Sequence, residues 1–233
     1  MLNAAWPVSI AFLTSMCLSS NAAPLSLLEF GRLARECAPW VSPSTLAAIA
    51  KVESDFDPLS AYDNTTGETL HWKDPAEATK SVEQRLEAGH SIDVGLMQIN
   101  SKNFSALGLT PENAFQPCIS LTAAGNLLES RYAGGKTAAA EQRALRQAIS
   151  AYNTGDLRRG FTNGYVRKVE LAARKILPPI ADLPEKTGEK PNPEETWDVW
   201  GLRDGRRSGG DLSNPSKMPK DGNSSEDNQL IFD

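Results

Sequence analysis

Apolar residues recur at steps of three and four along most of residues 27–176, a spacing that predicts a chain of amphipathic helices. Leu27, Phe30, Leu33, Ala34 and Cys37 form the first stripe. Ser42-Pro43 supplies a capping side chain followed by proline at the first helical position. Leu46, Ile49, Ala50 and Glu53 then fall on one face of a second helix, which Asp57-Pro58 should end. Leu121, Ala124, Leu128 and Tyr132 make a third stripe, closed by Gly134-Gly135. Leu145, Ala148, Ile149 and Tyr152 make a fourth. Val166, Val169, Ala173 and Ile176 make a fifth, with Pro178-Pro179 as its stop. Tyr62 to Trp72 mixes turn residues with strand formers and predicts a small hairpin. Pro75 to Gly89 reads as a polar surface helix. Nothing repeats internally. The pattern predicts a small domain that is mostly helical.

The two ends differ from this middle. Val8 to Leu18 is apolar but too short to cross a bilayer. With small residues at Ser20-Asn-Ala22, residues 1–22 read as a signal peptide and place the protein in the periplasm. The first basic residue is Arg32, so the usual basic start is missing. The other reading is an uncleaved buried segment. Cys17 falls inside this segment, and Met16 before it is too bulky for a lipidation signal. Residues 23–177 form the domain, and residues 178–233 form a tail rich in Pro, Gly and Ser. The tail carries seven basic and twelve acidic residues, which accounts for the whole net charge of −5. Without apolar periodicity it cannot offset its chain entropy, so a disordered acidic tail is expected. Trp197, Trp200 and Leu230-Ile-Phe232 are its apolar spots, either docking residues or incidental.

Composition narrows the function. The chain has 233 residues, 40% of them hydrophobic, enough for one core. No basic block points to nucleic acid. The two histidines, His71 and His90, lack metal-ligand spacing and read as surface residues; no metal or other cofactor is expected. Once the leader is gone, Cys37 and Cys118 remain. In an exported chain they suggest a disulfide, the alternative being two buried free thiols.

Glu53 is the candidate for chemistry. It continues an inward stripe at the end of a helix, where burial and the negative end of the helix dipole both raise a carboxyl pKa. Asp55 and Asp57 point elsewhere and add repulsion. Such a group can give a proton near neutral pH. Periodicity alone equally allows a partly buried glutamate paired with an arginine. Downstream, Gly95-Leu-Met-Gln-Ile-Asn100 interleaves amides with apolar residues. Leu96, Met97 and Ile99 suit a core, while Gln98 and Asn100 need polar partners. Ala151-Tyr-Asn-Thr-Gly155 continues an apolar stripe into a turn, and Asn163-Gly-Tyr165 opens the last helix.

These three blocks, in this order, resemble the Glu-Ser, Gly-Leu-Met-Gln and Ala-Tyr-Asn blocks of the soluble lytic transglycosylases, which cleave peptidoglycan. The run from Ala151 to Val169 is most similar to VirB-type enzymes of type IV secretion systems. The resemblance covers roughly residues 27–176. It implies a lysozyme-like α+β fold with a small hairpin, and cleavage of the β-1,4 bond between N-acetylmuramic acid and N-acetylglucosamine to leave a 1,6-anhydro ring. Glu53 would be the one acid and base, with Ser54 steadying it. Met97, Gln98 and Asn100 would line the cleft and bind sugar. Tyr152, Asn153 and Tyr165 would orient the glutamate. Asp93 sits in a block resembling the family's Asp-Val-Gly run, where a structural or binding role is expected. Partners would be peptidoglycan glycan strands and secretion-system assembly proteins; no integral membrane segment is expected. Two other readings remain: a lysozyme-like hydrolase, and a non-catalytic wall-binding scaffold.

Overall fold

The computed structural model of the chain describes residues 23–181. The signal-peptide and tail expectations, with Cys17, Trp197, Trp200 and Leu230 to Phe232, lie outside them. Five long helices follow the five stripes closely. They are α1 (Leu27–Cys37), α2 (Pro43–Glu53), α6 (Pro117–Arg131), α7 (Ala138–Thr154) and α9 (Tyr165–Ala181). The polar segment forms α3 (Pro75–Glu87), which buries only Ala78 and Val82. Short helices α4 (Phe104–Leu107), α5 (Pro111–Ala114) and α8 (Arg159–Thr162) fill turns that carry too few residues for a periodic signal.

Three expectations change. α2 buries more than the one face its stripe marks: Thr45 through Ala50 are all buried. It is the central helix of the domain, and an element apolar all round belongs there. Its main packing partner is α9, whose Val166, Val169, Ala173 and Ile176 are all buried. Second, α2 ends at Glu53 with Ser54 as cap, before Asp57-Pro58. Asp55 and Phe56 take left-handed backbone at φ 52° and 67°. For Phe56 this costs on the order of 1 kcal/mol or more, and packing holds it there. Its ring lies edge-on to Phe30 at 5.2 Å, and its carbonyl accepts from the Leu25 amide at 2.9 Å. Third, α9 continues through Pro178-Pro179 to Ala181. A proline φ near −65° is helical, but each proline forgoes the N–H bond to the carbonyl four residues back, so this last turn has fewer hydrogen bonds than an ordinary one.

The expected hairpin is β1 (Ser60–Asp63) with β2 (Glu68–His71), but it belongs to a larger sheet. β3 (Ile92–Val94) and β4 (Ile99–Asn100) extend it in the order β2-β1-β3-β4, antiparallel throughout. Strands of three and two residues are too short to show alternation. Tyr62 pairs with Asp93, and Asp93 with Asn100, so this row crosses the sheet.

Cys37 and Cys118 form a disulfide that ties the end of α1 to the start of α6. It closes a loop spanning 81 positions. On a chain-entropy account this disfavours the unfolded state by roughly 4 kcal/mol. Among the described residues no helix is long and apolar enough to cross a membrane.

Candidate active site

Glu53 is the last residue of α2, so its side chain leaves the buried helix at the edge of the sheet. It opens into a small polar notch of about 140 Å³. Asp93, Gln98, Asn100, Tyr152 and Asn153 share this notch, and so do Asn64, Asn103, Ile99 and Leu127. Five side-chain amides and two carboxylates in so small a space suit a ligand covered with hydroxyl and amide groups.

Burial is the largest influence on Glu53 and pushes its carboxyl up to about 7. The hydroxyl of Tyr165 donates to Oε1 and opposes the shift. The charge of Asp93 adds to it, and the charge of Lys168 offsets part of it. The repulsion therefore comes from Asp93 across the notch. Asp55 is turned to Lys51, and Asp57 accepts from His71 at 2.9 Å. The partner of Glu53 is a tyrosine and not an arginine. Burial and the nearby Glu53 charge hold both Tyr152 and Tyr165 well above the ordinary phenol range, so each is a neutral donor.

The loop from Gly95 to Gln98 makes the floor. Gly95 has φ 79°, and a Cβ there would come within 2.4 Å of the Ala114 carbonyl, so only glycine fits. Gln98 is also left-handed, at φ 47°. Its Nε2 donates to the Gly95 carbonyl at 2.9 Å and the Ser60 carbonyl at 3.2 Å. Asn100 donates to Asp93 Oδ1 at 2.8 Å and to Ser91 Oγ at 3.1 Å. These bonds fix the amides before any ligand arrives.

Two expected residues act differently from their assigned roles. Met97 is fully buried and does not line the notch. Its carbonyl accepts from the Tyr152 hydroxyl at 2.6 Å, so it is the backbone that matters. Ser54 does not touch the Glu53 carboxyl. Its hydroxyl donates to the Leu96 carbonyl at 2.7 Å and to the Ala50 carbonyl at 3.3 Å, pinning the end of α2 to the floor loop. Asn153 is exposed on the rim and accepts from the Asn163 amide at 3.2 Å.

The sequence reading missed Asn64 and Asn103. Asn64 follows β1, with its amide held by the Ser91 carbonyl at 2.9 Å. Asn103 lies three positions after Asn100, a spacing that could have marked it. His90 is also not a plain surface residue. Its Nδ1 meets the buried carboxylate of Asp63 at 2.7 Å, beside Arg85 at 2.7 Å.

The model of the Transglycosylase SLT domain matches residues 33–173. Protein virB1 of Agrobacterium fabrum is 67% identical over 201 residues, covering 86% of this chain and 82% of that protein. Protein virB1 of Rhizobium radiobacter is 56% identical over 230 residues, covering 97% and 96%. The type IV secretion system protein virB1 of Brucella suis is 36% identical over 166 residues, covering 68% and 69%. No solved structure matches the chain. The match spans α2, the floor loop and the start of α9, the elements that build the notch, and this chain belongs to the SLT transglycosylase family, among its VirB1 proteins.

Proposed function

We propose that the protein is a peptidoglycan lytic transglycosylase in which Glu53 is the only catalytic acid and base. The observation that carries this is the placement of Glu53 at the end of α2 in an amide-lined notch, with the Tyr165 hydroxyl on its Oε1 and burial pushing its carboxyl up to about 7. Near neutral pH about half of it is protonated, so it can give a proton and then take one. Protonated Glu53 donates to the glycosidic oxygen between N-acetylmuramic acid and N-acetylglucosamine. The C1–O4 bond breaks, the glucosamine leaves with a free 4-hydroxyl, and C1 gains oxocarbenium character. The Glu53 carboxylate then removes the proton from the muramic 6-hydroxyl, and O6 bonds to C1. A 1,6-anhydro ring results, and Glu53 is protonated again. One protein carboxylate suffices because the nucleophile belongs to the substrate.

Tyr165 orients Glu53 through its hydroxyl, and Tyr152 holds the floor loop. Gln98, Asn100 and Asn153 would bind the acetamido and hydroxyl groups. Ser54 positions the floor loop through its hydroxyl, and Met97 holds Tyr152 through its backbone carbonyl. The catalytic unit is the domain of residues 23–177, extended by the end of α9, and the tail takes no part in bond cleavage. The printed name of the Brucella suis relative, a type IV secretion system protein, supports a setting in type IV secretion. The enzyme would open the wall locally in the periplasm, beside the assembly proteins of that apparatus.

A hydrolase reading has one observation in its favour: Asp93 lies in the same notch and could activate a water. Mass spectrometry of muropeptides released from purified peptidoglycan separates the two. Anhydro ends, lighter by one water, are expected; a majority of reducing muramic ends would overturn the transglycosylase reading. No product, with the chain folded, would favour a wall-binding scaffold.

A further inference from the structure

A second cavity, of about 810 Å³, shares no lining residue with the Glu53 notch. Its floor is apolar, built from Leu25, Pro58, Leu59, Phe115 and Pro117. It lies between the chain entering α1, the start of α3 and the turn from α5 to α6. Its rim carries Glu29, Glu83 and Glu112 against Lys80. An apolar trough with an acidic rim calls for apolar anchors next to basic groups.

One stretch of the chain outside the described residues has that make-up. In the acidic tail, Trp197, Val199, Trp200 and Leu202 bring four apolar residues, two of them tryptophans, into six positions, and Arg203, Arg206 and Arg207 follow at once. These three arginines are three of the tail's seven basic residues, and against Asp198 and Asp204 they leave residues 197–207 net positive in an otherwise acidic tail. Reach is sufficient. Trp197 lies sixteen positions beyond Ala181, where α9 ends. That linker spans up to about 50 Å when extended, against a domain roughly 40 Å across.

We propose that residues 197–207 of this chain dock in the groove, with Trp197 and Trp200 on the apolar floor and the arginines against Glu29, Glu83 and Glu112.

The test uses the full chain with p-benzoylphenylalanine in place of Thr79, a half-buried groove residue. Irradiation and peptide mapping should capture residues 197–207 of the same molecule. Capture of residues 1–22 or of a second, isotope-labelled copy overturns the proposal, and so does capture of nothing. A second readout needs no unnatural residue. Trypsin should cut the wild-type chain after Arg206 and Arg207 at least about tenfold more slowly than the Ala76→Arg, Thr79→Arg variant, whose new charges fill and repel. The same protection should disappear in Trp197→Ala, Trp200→Ala, while cleavage after Lys217 stays constant. Equal rates in all three chains overturn the proposal.

Discussion

Asp63 is fully buried and Glu53 half-buried in its notch, ten positions apart in the chain, and the two are driven in opposite directions. Burial pushes both carboxyls up. At Asp63 the opposition is stronger: His90, Arg85 and the amides of Thr65 and Thr66 all bond to it and hold it well below the ordinary carboxylate range. At Glu53 one tyrosine hydroxyl and, less, the charge of Lys168 oppose burial, and Asp93 adds to it. The number and charge of the donors decide the outcome, and burial alone does not. One region is a permanent anion that clamps the hairpin to α3. The other is a proton carrier.

The largest expected effect separates these roles. Glu53→Gln should lower wall-lytic activity by roughly a thousandfold or more, within the usual range for a lost general acid. It should not lower stability. The folded-state pKa of Glu53 is raised to about 7 from 4.5. The folded state therefore binds the extra proton, and stability from this group is full below 4.5 and lost as pH rises through 7. Above neutrality the glutamine should be more stable by up to about 3 kcal/mol, read by denaturant titration at pH 8.

Asp63→Ala tests the other half. It leaves Arg85 and His90 facing a hole and should cost about 3–5 kcal/mol of stability, seen as a fall in Tm. Specific activity below that Tm should stay within about twofold of wild type, because Asp63 does not reach the notch. The linkage sign is opposite to that of Glu53. The depressed pKa of Asp63 gives stability above the ordinary carboxylate pKa, lost as pH falls below it.

Smaller effects sharpen the electrostatics of the notch. The alkaline limb of the rate profile should follow Glu53, with activity falling above pH 7 as the acid ionises. Asp93→Asn removes repulsion and should move that limb to lower pH. Tyr165→Phe removes the opposing donor and should move it higher. Shifts of about half a unit to one unit are expected. Shifts of the same sign in both variants would mean that Asp93 and Tyr165 do not act on Glu53 as described.

The described elements are legible in the sequence at different depths. The helical stripes gave the five long helices because each carries its own period. Glu53 was legible because it extends Leu46, Ile49 and Ala50 into the last turn. The Asp63 clamp was not, since Arg85 and His90 are 22 and 27 positions away and their approach depends on how β1 and α3 fold together. The bond from Tyr165 to Glu53 spans 112 positions, and only the resemblance suggested it. Met97 was misread for a local reason. Around the left-handed Gln98 the chain turns its carbonyl, and not the Met97 side chain, toward Tyr152. The groove joins segments from Leu25 to Pro117, and no single one of them hints at it.

The most direct measurement is the titration of Glu53 itself, by ¹³C NMR of the chain labelled at its glutamate carboxyls. One resonance should titrate with a midpoint near 7 and vanish in Glu53→Gln. If every glutamate titrates near the ordinary 4–5, Glu53 is an ordinary ionised side chain near neutral pH, and the proton-carrier account is wrong.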